Sequence, residues 1–409
     1  MATPGSAQRS SLTIIFTTVF VDLLGFGIVL PLLPYYAVNF GATLSLVGFL
    51  GTANALAQLV ASPVIGRLSD RHGRRPLLIF CTAGTVLSFL LLGLAGSLTM
   101  VFLSRVMDGL LGGNNALARA YITDVTDEKN RARGLGLIGA AFGLGFIIGP
   151  AMGGFLSRYG YQVPALVAAA FSLVNLVAVI LWLPESLTKK VKEEIRSGPQ
   201  TAFTLRALWE ALNRPCCAAL LQMQLWYGLA FTLFQSSFSL YAKARFALTA
   251  QGTSYVLTYV GVLAVLVQGV AIGRLTARFR ERALVLAGVV VMTLSLLAWG
   301  FAPSVAALLA VVAPIALAGG VLNTLLSSQL TKAVRAEEVG GILGLSAGLQ
   351  SFAQIVAPAV GGVALDRVGT WAPGLLGALL MTWPVVLACR HPGSGQNNSP
   401  ECAPSASSA

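Results

Sequence analysis

Acid is scarce in this sequence: 15 Asp and Glu stand among 409 residues, against 27 Lys and Arg. Charged residues of both signs make up only 10%, where an ordinary soluble domain carries roughly a quarter, so the chain cannot dress a water-facing surface. Histidine is nearly absent, with His72 and His391 alone. No His-Glu-x-x-His metal motif occurs, and a hydrolytic enzyme has little to stand on. No Gly-x-x-x-x-Gly-Lys-Ser/Thr loop occurs, so nothing cradles a nucleotide phosphate. The five cysteines (Cys81, Cys216, Cys217, Cys389 and Cys402) show no paired spacing, which argues against a disulfide framework or a zinc site. Neither an enzyme nor a cofactor or metal protein is expected.

What fills the sequence instead is hydrocarbon. Hydrophobic residues make up 56%, and Pro76 to Ser104, Pro215 to Ala242, Phe246 to Gly273 and Ala283 to Thr331 hold no Asp, Glu, Lys or Arg. A bilayer crossing takes about 20 apolar residues, so the last run must hold two crossings. Gly300-Phe-Ala-Pro-Ser304 supplies the turn between them. Twelve spans are expected, near 12–34, 44–66, 76–96, 98–122, 135–157, 161–183, 216–241, 252–274, 282–302, 304–330, 340–364 and 370–389. Backbone groups in lipid must be satisfied within their own segment, so these read as α-helices of an all-α integral membrane protein. The first run contains Asp22 and is long enough to span, so it reads as a retained helix rather than a signal peptide.

The formal charge of +12 is a matter of topology. With the N-terminus inside the cell, 21 of the 27 Lys and Arg fall in inner segments. That is the positive-inside bias, and it puts both termini in the cytoplasm and the protein in the cell membrane. Membrane lipids are then its surroundings, and nucleic acid is not an expected partner; no obligatory protein partner is evident either. Two six-helix bundles are expected at 1–185 and 216–390, joined by a polar cytoplasmic linker at 186–215 and followed by a Ser- and Pro-rich, disordered tail at 391–409.

The two bundles look like copies of one unit. Gly66-Arg-Leu-Ser-Asp-Arg-His-Gly-Arg-Arg-Pro-Leu77 returns in weakened form as Gly273-Arg-Leu-Thr-Ala-Arg-Phe-Arg-Glu-Arg-Ala-Leu284, and Gly149-Pro-Ala-Met-Gly-Gly154 returns as Ala357-Pro-Ala-Val-Gly-Gly362. Duplicated membrane halves with a site between them are the architecture of secondary transporters.

Charges inside spans need a partner or a water-filled cavity, at roughly 2.5–3.5 kcal/mol each in mid-bilayer. Asp22 sits mid-way along the first span, and Arg105 and Asp108 share one face of the fourth. A carboxylate beside an arginine, reached alternately from each side, can load and release a proton. These three are the expected coupling residues, with a static Asp22–Arg105 pair as the plainer reading. In the charged loop, which includes Gly73, Gly66 allows close helix approach, while Asp70, Arg71, Arg74 and Arg75 form an ionic cluster able to gate. Gly145, Gly149, Pro150, Gly153 and Gly154 of the fifth span are spaced for tight helix contact and bending. Substrate contacts are expected from Tyr227, Phe231, Phe234 and Gln235, together with Gln58, Gln268, Gln350 and Gln354, an aromatic-and-amide lining suited to a bulky apolar solute.

These residues resemble the major facilitator superfamily over the whole twelve-helix region. The segment from Gly66 to Pro76 matches its loop signature, Gly139 to Gly154 the fifth-helix signature of its antiporters, and Asp22 to Pro34 the first-helix signature of twelve-helix drug–proton antiporters. Arg105-Val-Met-Asp-Gly109 matches their fourth-helix signature, with Asp108 where an amide is commoner, and Ala120 to Asp127 is most similar to bacterial tetracycline-efflux proteins. The resemblance implies the major facilitator fold and export of small molecules driven by proton entry. Asp22 and Arg105 would act in coupling, and Asp70 with its arginines in gating. Ser88 stands where tetracycline exporters carry an acid, and Ala264 where they carry a histidine, so the drug itself is left open. The alternatives are a facilitator or symporter importing a metabolite, and a non-transporting membrane scaffold.

Overall fold

The structure is a computed structural model in which residues 4–126, 128–187, 215–334 and 339–390 are described. Every regular element among them is helical. The helices are α1 (Pro4–Val29), α2 (Leu33–Asn39), α3 (Leu44–His72), α4 (Arg74–Gly93), α5 (Leu98–Leu111), α6 (Asn114–Val125), α7 (Glu128–Leu156) and α8 (Gln162–Trp182). They continue as α9 (Pro215–Phe246), α10 (Ala250–Leu266), α11 (Ile272–Arg278), α12 (Glu281–Gly300), α13 (Val305–Lys332), α14 (Val339–Arg367) and α15 (Ala372–Arg390). The expected linker and tail lie outside the described residues, apart from 186–187 and Pro215 at the linker's two edges.

Local chemistry starts and stops these helices. Thr43, Ser97 and Ser304 each turn a hydroxyl back to accept the backbone N–H three residues on, at 3.3, 3.4 and 3.2 Å, and so open α3, α5 and α13. Gly73 separates α3 from α4 with φ +116°, a conformation that strains any residue bearing a Cβ.

Eleven of the crossings are long and apolar enough to span a membrane. The remaining expected span, the fourth at 98–122, departs from a single rod: it is broken at Gly112-Gly113 into α5 and α6. The glycine pair explains the break. A Cβ on Gly112 would lie 2.5 Å from the carbonyl of Asp108, and one on Gly113 would lie 2.8 Å from Ile65. The eighth span also departs from regularity, through a π-helical turn at Val267–Ala271 between α10 and α11.

Two compact units emerge. One gathers Met1–Gln200 with Ser236–Val262 and Pro358–Thr370; the other gathers Thr201–Gln235, Leu263–Ala357 and Trp371–Ala409. The first is built on a core of Ile15, Val19, Leu78, Leu117, Tyr121 and Val179, with α1 packed along α7. In the second, Cys217, Leu221, Leu330, Ile342 and Leu349 cluster, and Phe234 meets Trp299 edge-on at 5.0 Å.

Candidate functional site

The first unit contains a polar centre inside its apolar core. Asp22 of α1 is half-buried, and its Oδ1 accepts a hydrogen bond from Asn114 Nδ2 at 2.9 Å. Asn114, the first residue of α6, is 1% exposed. Its Nδ2 also donates to Thr85 Oγ1 at 3.2 Å, and its Oδ1 accepts from Thr82 at 3.4 Å. One turn before the break, Asn54 of α3 donates to Asp108 Oδ2 at 3.0 Å and to the Arg105 carbonyl at 2.9 Å. Arg105 pairs with Asp108 at 3.5 Å and holds its guanidinium 5.9 Å from the Phe89 ring centre. Its Nη2 is buried with no hydrogen-bond partner among the described residues.

The expected trio is therefore brought into one region, but the pairing differs from the plainer reading. Arg105 pairs with Asp108, and Asp22 is held by a neutral amide. The i, i+3 spacing along α5 favours the near acid over one on another helix. Asn54, a polar span position expected at the substrate, is instead bonded to Asp108, and Thr82, Thr85 and Asn114 are contributors that sequence spacing did not single out, because single amides and threonines in apolar runs carry no pattern. Gln58, expected at the substrate, donates to the Gly112 carbonyl at 3.3 Å and so props the break.

The charged loop folds into a closed network. Arg74 contacts Asp70 at 2.6 Å and Asp124 at 3.1 Å, and donates to Ser69 Oγ at 2.5 Å. Its backbone N–H meets Glu185 at 2.8 Å, and Arg75 donates to the Ile180 carbonyl at 2.6 Å. Arg71 stays exposed. Asp124 and Glu185 were not expected in this cluster. Gly66, expected at a close helix contact, has open space where its Cβ would stand: here the loop is held by side-chain ions instead of backbone approach.

The glycine-rich fifth span does make a close approach, to α1. A Cβ on Gly149 would lie 2.7 Å from Gly27 Cα, one on Gly145 2.9 Å from Leu23, and one on Gly153 2.5 Å from the Ile28 carbonyl. Gly154 faces Ser254 of α10 instead, whose Cβ would lie 2.6 Å from a Cβ added at Gly154, and Pro150 sits within a continuous α7.

In the second unit, Tyr227 is buried, donates to the Gly319 carbonyl at 2.9 Å and stacks on Phe231 at 5.8 Å. Tyr227 and Phe234 are thus committed to packing, Gln235 is half-buried, and Gln268, Gln350 and Gln354 are exposed. Gly344-Leu-Ser-Ala-Gly348 matches a Gly-x-Ser-x-Gly pattern, yet it lies inside α14 and Ser346 Oγ accepts from Gln224 at 2.5 Å. A nucleophile elbow needs a strand-to-helix turn and a base, and this segment has neither.

A polytopic helical protein with buried charges at a broken span has the architecture of a membrane transporter. Comparison with known proteins gives the family. The chain belongs to the Major Facilitator Superfamily, whose model matches residues 15–268 and 220–405. It is 28% identical over 366 residues to Multidrug resistance protein 2 of Bacillus subtilis (strain 168), covering 88% of this chain and 90% of that one. It is 30% identical over 357 residues to the class C tetracycline resistance protein of Escherichia coli, covering 86% and 89%. The crystal structure of the human organic anion transporter MFSD10 (TETRAN) shares the fold, with a TM-score of 0.69 at 22% identity over 93% of this chain and 99% of that chain.

Proposed function

We propose that the protein is a proton-coupled antiporter that exports hydrophobic or amphipathic small molecules by alternating access. Its two six-helix repeats, 1–185 and 216–390, alternate between inward-open and outward-open states, with both termini in the cytoplasm. Asp22 carries the proton, and Arg105 with Asp108 adjusts the field around it. The observation that supports this reading most is Asp22 itself. It is an acid midway along a span whose hydrogen-bond partner is a neutral amide, where a merely structural carboxylate would be tied to a cation. The relatives named for multidrug and tetracycline resistance support the class of cargo.

The test uses purified protein in proteoliposomes with an imposed pH gradient, and tetracycline and ethidium as probes. Asp22→Asn should lower gradient-driven transport at least tenfold while leaving the melting temperature within a few degrees. Undiminished transport would remove Asp22 from the mechanism. Reversing the gradient should reverse the direction of net solute movement, which stays opposite to that of the proton; movement in the same direction as the proton would indicate a symporter.

A further inference from the structure

The break in the fourth span places a helix start inside the bilayer beside the buried acid. Helix α6 begins at Asn114, whose side chain donates to Asp22 while Thr82 and Thr85 of α4 hold the same amide on its other sides. The site is assembled from three directions. Gln58 of α3 reaches the Gly112 carbonyl, and Gly113 has Cys81 Sγ and Ile65 where its own Cβ would be. A helix start carries partial positive charge from its unpaired N–H groups, which fades within the first turn. Any tilt of α6 about Gly112-Gly113 therefore moves a donor and a positive helix end relative to Asp22 together.

We propose that Asn114 is a positioning residue for Asp22, setting the pH at which this carboxyl exchanges its proton and tying that exchange to the Gly112-Gly113 break. The inference rests on the coupling role given to Asp22 above. The ionisable groups that bear on Asp22 are few. Asp108 acts from α5, screened by Arg105, and Cys81 acts from α4. On α6 the nearest charge, Arg119, is exposed. Between Gly134 and Leu156 of α7, and along the whole of α8, no Asp, Glu, Lys, Arg or His occurs. Asn114 is thus the hydrogen-bond donor that favours the ionised carboxylate at this point.

The experiment reads Asp22 directly. Dicyclohexylcarbodiimide reacts with protonated carboxyls in apolar surroundings, so the full chain in proteoliposomes is labelled across a pH series and the Asp22 peptide is quantified by mass spectrometry. In Asn114→Leu the half-labelling pH should rise by about one unit, because a hydrogen bond to an ionised group is worth roughly that much. Asn114→Asp keeps the shape and should raise it further through like charge, and so covers the case in which the leucine variant does not fold. Asn114→Gln should restore most of the wild-type midpoint. An unmoved midpoint in both the leucine and aspartate variants overturns the proposal. Labelling needs no substrate: if the midpoint moves as stated while wild type shows no proton-driven transport of tetracycline or ethidium, the coupling reading fails and the positioning role stands.

Discussion

Arg74 shows how much one side chain can organise. It is buried at the boundary between α3 and α4, with two carboxylates, a hydroxyl and, through its backbone, a third carboxylate around it. The acids are not equivalent: Asp70 is 37% exposed as a side chain and Asp124 is 19% exposed. Water screens the more exposed pair and weakens it, whereas loss of the more buried partner strands a guanidinium with less solvent to replace it. Asp124→Asn should therefore destabilise the detergent-solubilised protein more than Asp70→Asn, by about 1–3 kcal/mol against less than about 1. Thermal unfolding of the two variants checks this, and an equal or reversed order would show that Asp124 is not the principal counter-ion. The charged loop was legible because its residues are consecutive. Its partners were not, since Asp124 is 50 residues away and Glu185 is 111, and a single acid near a helix end looks like any other. The same limit hid Asn114 from the reading of Asp22.

Among elements, α1 and α7 form the tightest seam of the first unit, and here the sequence pattern carried over into structure for a definable reason. Glycine at every fourth position, Gly145, Gly149 and Gly153, makes a flat stripe on α7. Gly27 gives α1 a matching notch, in which a Cβ would lie 2.8 Å from the Gly145 carbonyl. Spacing alone does not tell which glycines face a neighbour. Gly139 has the same setting in sequence yet has nothing within contact distance of a Cβ, as does Gly66. This separates two substitutions of one chemical kind. Gly149→Ala forces backbone apart and should cost about 1–3 kcal/mol, lowering both yield and melting temperature. Gly139→Ala should be neutral or stabilising by up to about 1 kcal/mol through helix propensity. Thermal denaturation of both in detergent decides the matter; matched losses would mean that the seam is not the determinant. The broken fourth span was illegible for the opposite reason. Gly112-Gly113 lies within an apolar run long enough to be one helix, and the close neighbours Ile65 and Cys81 that make glycine necessary at Gly113 are supplied only by tertiary packing.

At the scale of the whole molecule, duplication has been followed by divergence. Gly66 and Gly273 open corresponding loops, yet Ala277 replaces Asp70 in the second copy, and Arg274, Arg278, Arg280 and Arg282 are exposed with no ion pair among the described residues. The arginine-centred cluster has thus stayed with one copy, and among the described residues the second copy carries a single pair at its loop, Lys332 to Glu281 at 2.7 Å. The opposite end of the first unit is fastened mainly by hydrogen bonds, that of Ser45 to Asp366 Oδ2 at 2.6 Å among them. Tyr35 of α2 donates to the Leu248 carbonyl at 2.9 Å and meets Thr253 Oγ1 at 2.6 Å. Lys243 lies 5.2 Å over its ring. Burial pushes the Tyr35 hydroxyl up to about 12, so it keeps its proton at any physiological pH and the tie is pH-independent. With the termini inside and alternating access operating, both as proposed above, this fastening would be at the outer face and would have to part at each outward opening. Tyr35→Phe removes both hydroxyl bonds, each worth about 1 kcal/mol. In a cysteine-free background carrying Ala250→Cys, at a site 2% exposed beneath this tie, Tyr35→Phe should raise labelling by an impermeant maleimide added outside by about fivefold or more. The increase should be the same at pH 6 and pH 8 once the reagent's own pH dependence is divided out. A labelling rate unchanged by the substitution would mean that the outer face parts somewhere other than at Tyr35.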